Sequence, residues 1–284
     1  MGDMSPPPKY IIRSLFHTCK KKLSKVLSFL RFYEVPGYLN LIEDMVNMNY
    51  SDSEIAQSIK NIIENIREEG SVDIIRNNKS YDKKSHMKII KLGRILTSAY
   101  TPLRPYKYLD FGTGDGLLAN GVGVNILNIA NTDIYGVDIN PPEWFDTPRQ
   151  KHPFNFSLVE QRTELQFSDM YFTHITCMNV LHHCEYQYET LQELFRVLNR
   201  GGLFLLKEHN CTPHMSNLLD VQHLFYAVVE DGVDPHYFIK DYYANYMSIK
   251  NWIDILEKIG FHILNIIKNR RRADGSFYLL ATKK

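Results

Sequence analysis

Cysteine is scarce and scattered in this 284-residue chain: Cys19, Cys177, Cys184 and Cys211 include no Cys-x-x-Cys pair. That excludes a disulfide framework or zinc knuckle and suits free thiols in a reducing compartment. Long apolar runs are also missing. None approaches the roughly 18 residues of a membrane span, and no signal-peptide apolar stretch follows Met1. The expectation is a soluble cytoplasmic protein with no membrane association. Charge of one sign is not in excess, since 33 Lys and Arg face 32 Asp and Glu. Any basic surface for an anionic partner must therefore be local. Pro6 stands where N-myristoylation requires Ser or Thr. Repeats and low-complexity segments are absent. What is present is 44% hydrophobic and 23% charged, which excludes wholesale disorder and allows a large core without metal or disulfides.

The first hundred residues read as helical. Ile12, Leu15, Phe16, Leu23, Val26, Leu27 and Leu30 recur at helical spacing, and Lys20, Lys21, Lys22 and Lys25 lie on the opposite face. Ser51-Asp52-Ser53-Glu54 forms a capping box, its helix stopping at Gly70, and after a polar loop over 76–84 another helix is predicted over 85–99. The texture changes at Tyr106. Strands are predicted at Lys107–Phe111, Ile134–Ile139, Phe154–Val159, His174–Met178, Leu203–Glu208, Phe261–Ile267 and Ser276–Ala281. Helices fit Leu117–Ala130, Tyr188–Leu198 and Ile249–Ile259, with a mostly helical stretch from Glu208 to Tyr246. The alternation predicts an α/β fold: a Rossmann-like, mostly parallel seven-stranded sheet with its last strand antiparallel. The expected division is a helical N-terminal extension over 1–100 and an α/β domain over 101–284, with a helical insertion at about 210–247.

Leu109-Asp110-Phe111-Gly112-Thr113-Gly114-Asp115-Gly116 puts three glycines at alternate positions between a strand and a helix. Glycine permits a sharp turn at positive φ and close approach of a ligand to main-chain N–H groups. A second acid, Asp138, ends the next strand, where a carboxylate can accept both hydroxyls of a ribose. Asp110 and Asp115 crowd the turn with negative charge, which disfavours a pyrophosphate and favours a cationic ligand.

Together with FTHITCMNVLHHCE and LFRVLNRGGLFLLKEHN, this segment resembles the class I S-adenosylmethionine-dependent methyltransferases from Tyr106 to Lys284. The resemblance implies S-adenosylmethionine as cofactor. It places Asp110, Gly112, Thr113 and Gly114 around the methionine part, Asp138 on the ribose and Ile139 on one adenine face. Asn179 follows the fourth strand beside the same crevice. The acid such enzymes carry after the third strand is replaced by Gln161. A nucleotide-free α/β domain is the alternative.

Ligand crevices in such sheets lie outside the carboxyl ends of the strands. That gathers His182 and His183 with Lys207, Glu208 and His209, and brings Lys88 or Lys91 of the preceding helix near. His182, Glu208 or His209 could accept a proton, and a lysine could lower the pKa of an acceptor hydroxyl. Leu-His-His after the fourth strand is also common where the histidines only pack. Despite six histidines and Cys184 in this half, no ligand spacing fits a metal site, so none is expected. Asp220, His223 and Tyr226 share a helix face, either as a lid or as a self-satisfied polar pair.

The segment Gly201–Lys207 also resembles the lysine-bearing fifth strand of FtsJ-type RNA 2′-O-methyltransferases, with Lys88 or Lys91 in place of their first lysine. Their two acids are missing here: the positions fall near Met178 or Asn179 and near Ser276. The Leu-His-His segment instead resembles small-molecule methyltransferases such as those of ubiquinone biosynthesis. Glu208-His209-Asn210 and Asp220–Tyr226 are similar to methyltransferases of large cytoplasmic DNA viruses, which would place the protein in host cytoplasm or a virion. Basic segments at Lys20–Lys25 and Arg270–Arg272 suit RNA phosphates, and the expected acceptor is RNA, at a cap or a ribose 2′ hydroxyl. A small-molecule enzyme, or a silent subunit binding RNA or protein, is the alternative. The N-terminal helices offer a surface for a protein partner.

Overall fold

The computed structural model describes residues 48, 78–99, 104–141, 154–159, 164–211, 216, 219, 223, 242–268 and 275–284. The helices expected before residue 78, Gln161, the Lys20–Lys25 and Arg270–Arg272 segments, Asp220 and Tyr226 lie outside the described residues.

Seven strands form one sheet among them: β1 Tyr108–Phe111, β2 Ile134–Asp138, β3 Asn155–Leu158, β4 Phe172–Met178, β5 Leu198–His209, β6 Phe261–Lys268 and β7 Ser276–Lys283. Their order is β3-β2-β1-β4-β5-β7-β6. The pairs from β3 to β5 are parallel, and β7 runs antiparallel to both β5 and β6. This is the Rossmann-like sheet expected, with its last strand reversed. The helices are α1 Asn78–Leu96, α2 Leu117–Asn125, α3 Gln187–Val197 and α4 Ile249–Ile259.

Side chains alternate across the sheet and build a core on each face. Leu203, Leu205, Tyr278 and Leu280 pack with Tyr108, Leu92 and Leu96 of α1 and Val122 of α2. Phe204, Leu206, Phe277 and Leu279 pack with Leu191 and Leu194 of α3 and Trp252 and Leu256 of α4. The compact unit holding the sheet therefore begins at Asn78.

Four elements depart from the sequence reading by three residues or more. The polar run before 85 is helical from Asn78; a lysine-rich polar segment is a good helix former when solvated. Helix α2 stops at Asn125, and Asn128 then takes φ 52, a left-handed conformation that asparagine tolerates. Strand β5 starts five residues early, because Gly201 at φ 69 and a register shift opposite Phe172/His174 carry Leu198–Gly202 into the sheet as a bulge. Residues 242–248 are irregular rather than helical, although 216, 219 and 223 are helical.

Helix α4 has a capped start and stop. Ser248 Oγ accepts from Asn251 N at 3.2 Å, and Gly260 at φ 119 closes the other end. Ser248→Ala is expected to lower stability by about 1 kcal/mol, read as an earlier denaturant midpoint at unchanged slope.

Candidate active site

The turn after β1 is fixed by the neighbouring strand. Gly112 N and Thr113 N donate to Val137 O of β2 at 2.8 and 3.1 Å, and Gly116 N donates to Thr113 O at 3.0 Å. Gly112, Gly114 and Gly116 take φ values of 72, 55 and 77. Two of these glycines do different work. A Cβ on Gly112 would lie 2.1 Å from Val180 Cγ2, so this glycine lets the turn touch the chain leaving β4. A Cβ on Gly114 would meet nothing within 4 Å, so this glycine borders open space at a helix N-terminus.

Two carboxylates flank the turn. Asp110 is buried, accepting from Thr176 Oγ1 at 2.5 Å and Thr113 Oγ1 at 3.2 Å. Tyr108 completes the relay, its O–H donating to Thr176 Oγ1 at 2.7 Å. Burial pushes the Asp110 carboxyl up to about 6, opposed by the two threonine bonds and the charge of Lys88. Asp138 ends β2, where Oδ2 accepts from Gly114 N at 2.8 Å and Oδ1 from Asn140 N at 3.2 Å. A carboxylate offers about four lone-pair positions, so Asp138 keeps acceptor capacity.

Apolar side chains are exposed beside Asp138. Ile139 is 55% exposed and Leu158, the β3 partner of Asp138, is 54% exposed. On the other side, Asn179 holds φ 61, uncommon for a residue other than glycine. Its Oδ1 is buried with no hydrogen-bond partner. An orphaned acceptor and a buried carboxylate suit a cationic ammonium, Asp138 suits a ribose, and exposed apolar strand ends suit an adenine. The set fits S-adenosylmethionine.

The predicted acceptor-side residues divide by sheet face. Lys207 is 6% exposed and pairs in register with Met178 and Tyr278 on the α1 face. Lys91 of α1 lies 4.2 Å from the Tyr278 ring centroid, and the charge of Lys88 reaches Asp110. Alternation turns Glu208 to the opposite face, where it meets His182. His182 Nδ1 lies 2.6 Å from Glu208 Oε2, with both side chains about 1% exposed. Glu208 also accepts from His182 N at 3.4 Å and from His209 N at 3.3 Å. Burial raises the Glu208 carboxyl to about 7 and holds the His182 imidazole well below its ordinary range. Glu208 therefore sits with His182 rather than replacing a missing acid beside Lys207.

Tyr246 was not foreseen from sequence. Its ring stacks on His182 at 5.1 Å and 25°. Asn245 N donates to His182 O at 2.7 Å, and Gln187 Nε2 ties Leu181 O to Asn245 O at 2.9 and 2.7 Å. Nothing local to Tyr246 signals this, because its partner lies 64 positions earlier in the chain. Leu158 was missed too, reading as an ordinary strand residue. His223 Nδ1 donates to Leu219 O at 2.7 Å within its own helical turn.

A family model described as a methyltransferase domain matches residues 77–266, more than half of the chain. No curated protein matches the sequence. Among solved structures, a chain of the complex between the Haloferax volcanii Trm112 methyltransferase activator and a methyltransferase superposes with TM-score 0.50 at 15% identity, covering 74% of this chain and 95% of that one. An S-adenosylmethionine-dependent methyltransferase of Mesorhizobium loti gives TM-score 0.47 at 12% identity over 67% and 98%. One from Methanosarcina mazei gives 0.45 at 20% over 64% and 94%. Among the described residues no helix is long and apolar enough to cross a membrane.

Proposed function

We propose that the chain, which belongs to the methyltransferase-domain family, uses S-adenosylmethionine to methylate RNA, at or near a capped 5′ end. The observation that carries the cofactor part of this reading is the turn itself: open space at Gly114, whose N–H donates to Asp138, with the buried Asp110 carboxylate near the end of β1 and the unpartnered Asn179 Oδ1 just beyond the neighbouring β4. Bound there, the cofactor supplies an electrophilic methyl group. Asp110 and Asn179 hold the ammonium end, and Asp138 holds the ribose. Ile139 and Leu158 would cover the adenine. Asp138→Ala should weaken cofactor binding by about tenfold or more, since it removes charge-assisted hydrogen bonds worth roughly 1.5–3 kcal/mol each. Calorimetry with the cofactor or its demethylated product reads this directly, and unchanged affinity would remove Asp138 from the ribose site.

The acceptor reading is supported by Lys207, Lys91 and Lys88 on one face of the sheet and by basic segments near both ends of the chain. Positive charge here positions phosphates. A small-molecule acceptor is favoured instead by the burial of His182 and Glu208, which suits a compact, water-excluded site. The test is transfer from labelled cofactor to capped RNA, uncapped RNA and a panel of metabolites. Capped RNA should be methylated, and Lys207→Ala should lower that transfer by orders of magnitude at unchanged cofactor affinity. Methylation of a metabolite with no RNA activity would overturn the reading. The segment before Asn78, which precedes the unit that holds the sheet, is proposed to offer a surface for a protein partner; a methyltransferase of Haloferax volcanii is likewise solved in complex with an activator protein.

A further inference from the structure

The FtsJ-like reading leaves a chemical gap. Methylation of a hydroxyl or amine releases a proton, and the two acids expected beside Lys207 are absent. The fold supplies a different group on the other face of β5. His182 stands in the single helical turn at 181–183 that follows β4, and Glu208 stands near the end of β5. Both strand ends border the crevice side of the parallel sheet.

We propose that Glu208 and His182 form the proton-accepting pair of the methyl transfer. Oε2 of Glu208 holds the Nδ1 proton across 2.6 Å, which leaves the imidazole lone pair on Nε2. The acceptor oxygen or nitrogen bonds to the methyl carbon as the carbon–sulfur bond breaks and its electron pair stays on sulfur. The acceptor's own bond to hydrogen breaks, and that proton passes to Nε2. The imidazolium so formed rests against the Glu208 carboxylate until the proton leaves to solvent. This assignment rests on the methyltransferase reading above but not on the acceptor being RNA.

Geometry holds the pair in one arrangement. Glu208 is fixed by the backbone N–H groups of His182 and His209, and the His182 ring is covered by Tyr246. Asn245 and Gln187 tie that cover to the His182 turn. Within the unit that holds the sheet, the titratable neighbours are His183 on the same turn, Cys177 of β4 and Cys184 beyond it, Lys207 and His209 of β5, and Tyr246. His183, His209 and Lys207 all disfavour a positive charge on His182. The carboxyl of Glu208, raised to about 7 by burial, decides when the base is competent. Below that pH the pair carries an extra proton, and above it the carboxylate orients a neutral imidazole. Turnover should therefore rise as pH passes through about 7.

Three measurements on the full chain test this. Calorimetry of cofactor binding comes first, and the proposal expects affinities within about threefold of wild type for Glu208→Gln and His182→Gln. Turnover should fall by about 10²-fold or more in each variant at little-changed acceptor KM, and Glu208→Gln should lose the rise near pH 7. Nitrogen NMR of the histidines in cofactor-free protein should show His182 neutral and protonated on Nδ1 at pH 8. Its signals should titrate near pH 7, and Glu208→Gln should abolish that titration. Lost cofactor binding in wild type would instead sink the methyltransferase reading. If His182→Gln fails to fold, Glu208→Gln and the NMR signals still decide. An Nε2-protonated His182, or variants keeping turnover within threefold with the wild-type pH profile, would overturn the proposal and leave the pair as packing.

Discussion

The Gly112→Ala protein is expected to be about 2–5 kcal/mol less stable than wild type and to bind no measurable cofactor. Two penalties add. A left-handed φ of 72 costs a residue with a Cβ roughly 1–2 kcal/mol. The new methyl would sit 2.1 Å from Val180 Cγ2 and 2.8 Å from its Cγ1, and overpacking of this kind costs typically about 1–3 kcal/mol. Val180 is β-branched and stiff at χ1, so it cannot swing aside cheaply. The chain leaving β4 must shift, and Asn179 shifts with it. Gly114→Ala is the informative contrast. Its φ of 55 carries the same strain, but no atom lies within 4 Å of the added methyl. Its melting point should drop by only about 2–4 °C, the effect of roughly 1 kcal/mol in a domain of this size. Cofactor affinity should nevertheless fall tenfold or more, because the methyl fills space that a ligand needs. Adding Val180→Ala to Gly112→Ala should recover part of the stability. A Gly112→Ala protein melting within a degree of wild type would mean that the turn does not touch Val180.

That contrast marks where the sequence was informative. The glycine spacing, the acid in β1 and the acid ending β2 are local features, each readable within a dozen residues. The seven strands were readable too, because β-branched and aromatic runs alternate with helical patterns over short distances. Boundaries failed where one residue's conformation decides the outcome, as at Asn128 and Gly201. Side-chain partnerships failed for a different reason. Lys207 and Glu208 are adjacent in sequence and so look like one site, yet the pleat sends them to opposite faces. Glu208 and His182 are 26 positions apart, and only the parallel pairing of β4 with β5 brings them together. Leu158 gains its meaning solely from lying opposite Asp138 in register.

The same pleat places Asp110 beneath the crevice on the face of Tyr108 and Thr176, and its burial gives the second large effect. Asp110→Asn should raise the melting point at pH 8 by about 2–4 °C, a shift of roughly 1 kcal/mol, while weakening cofactor binding 10- to 100-fold. The stability sign follows from linkage. The folded-state carboxyl is raised to about 6 from its ordinary 3.8, so the native state holds the proton more tightly than the unfolded chain. The stability this contributes is complete below about pH 4 and is lost as pH rises through about 6. Above that, the ionised carboxylate is a standing cost that an amide avoids. Thr176 can keep donating to the amide oxygen while Thr113 turns its hydroxyl to accept from the amide N–H. The gain should accordingly be absent at pH 4 and full by pH 7. Affinity moves the other way, because a buried carboxylate is the partner an ammonium group requires, and hydrogen bonds to charged groups are worth roughly 1.5–3 kcal/mol. Only the ionised form of Asp110 offers that partner. Wild-type affinity for the cofactor should thus climb as pH rises through about 6 and level off, whereas the Asn variant should bind weakly and uniformly across the range. Calorimetric affinities between pH 5 and 8 distinguish the two curves. A wild-type affinity that is flat over that interval would show that Asp110 serves the turn through its threonine bonds alone and does not meet the ligand.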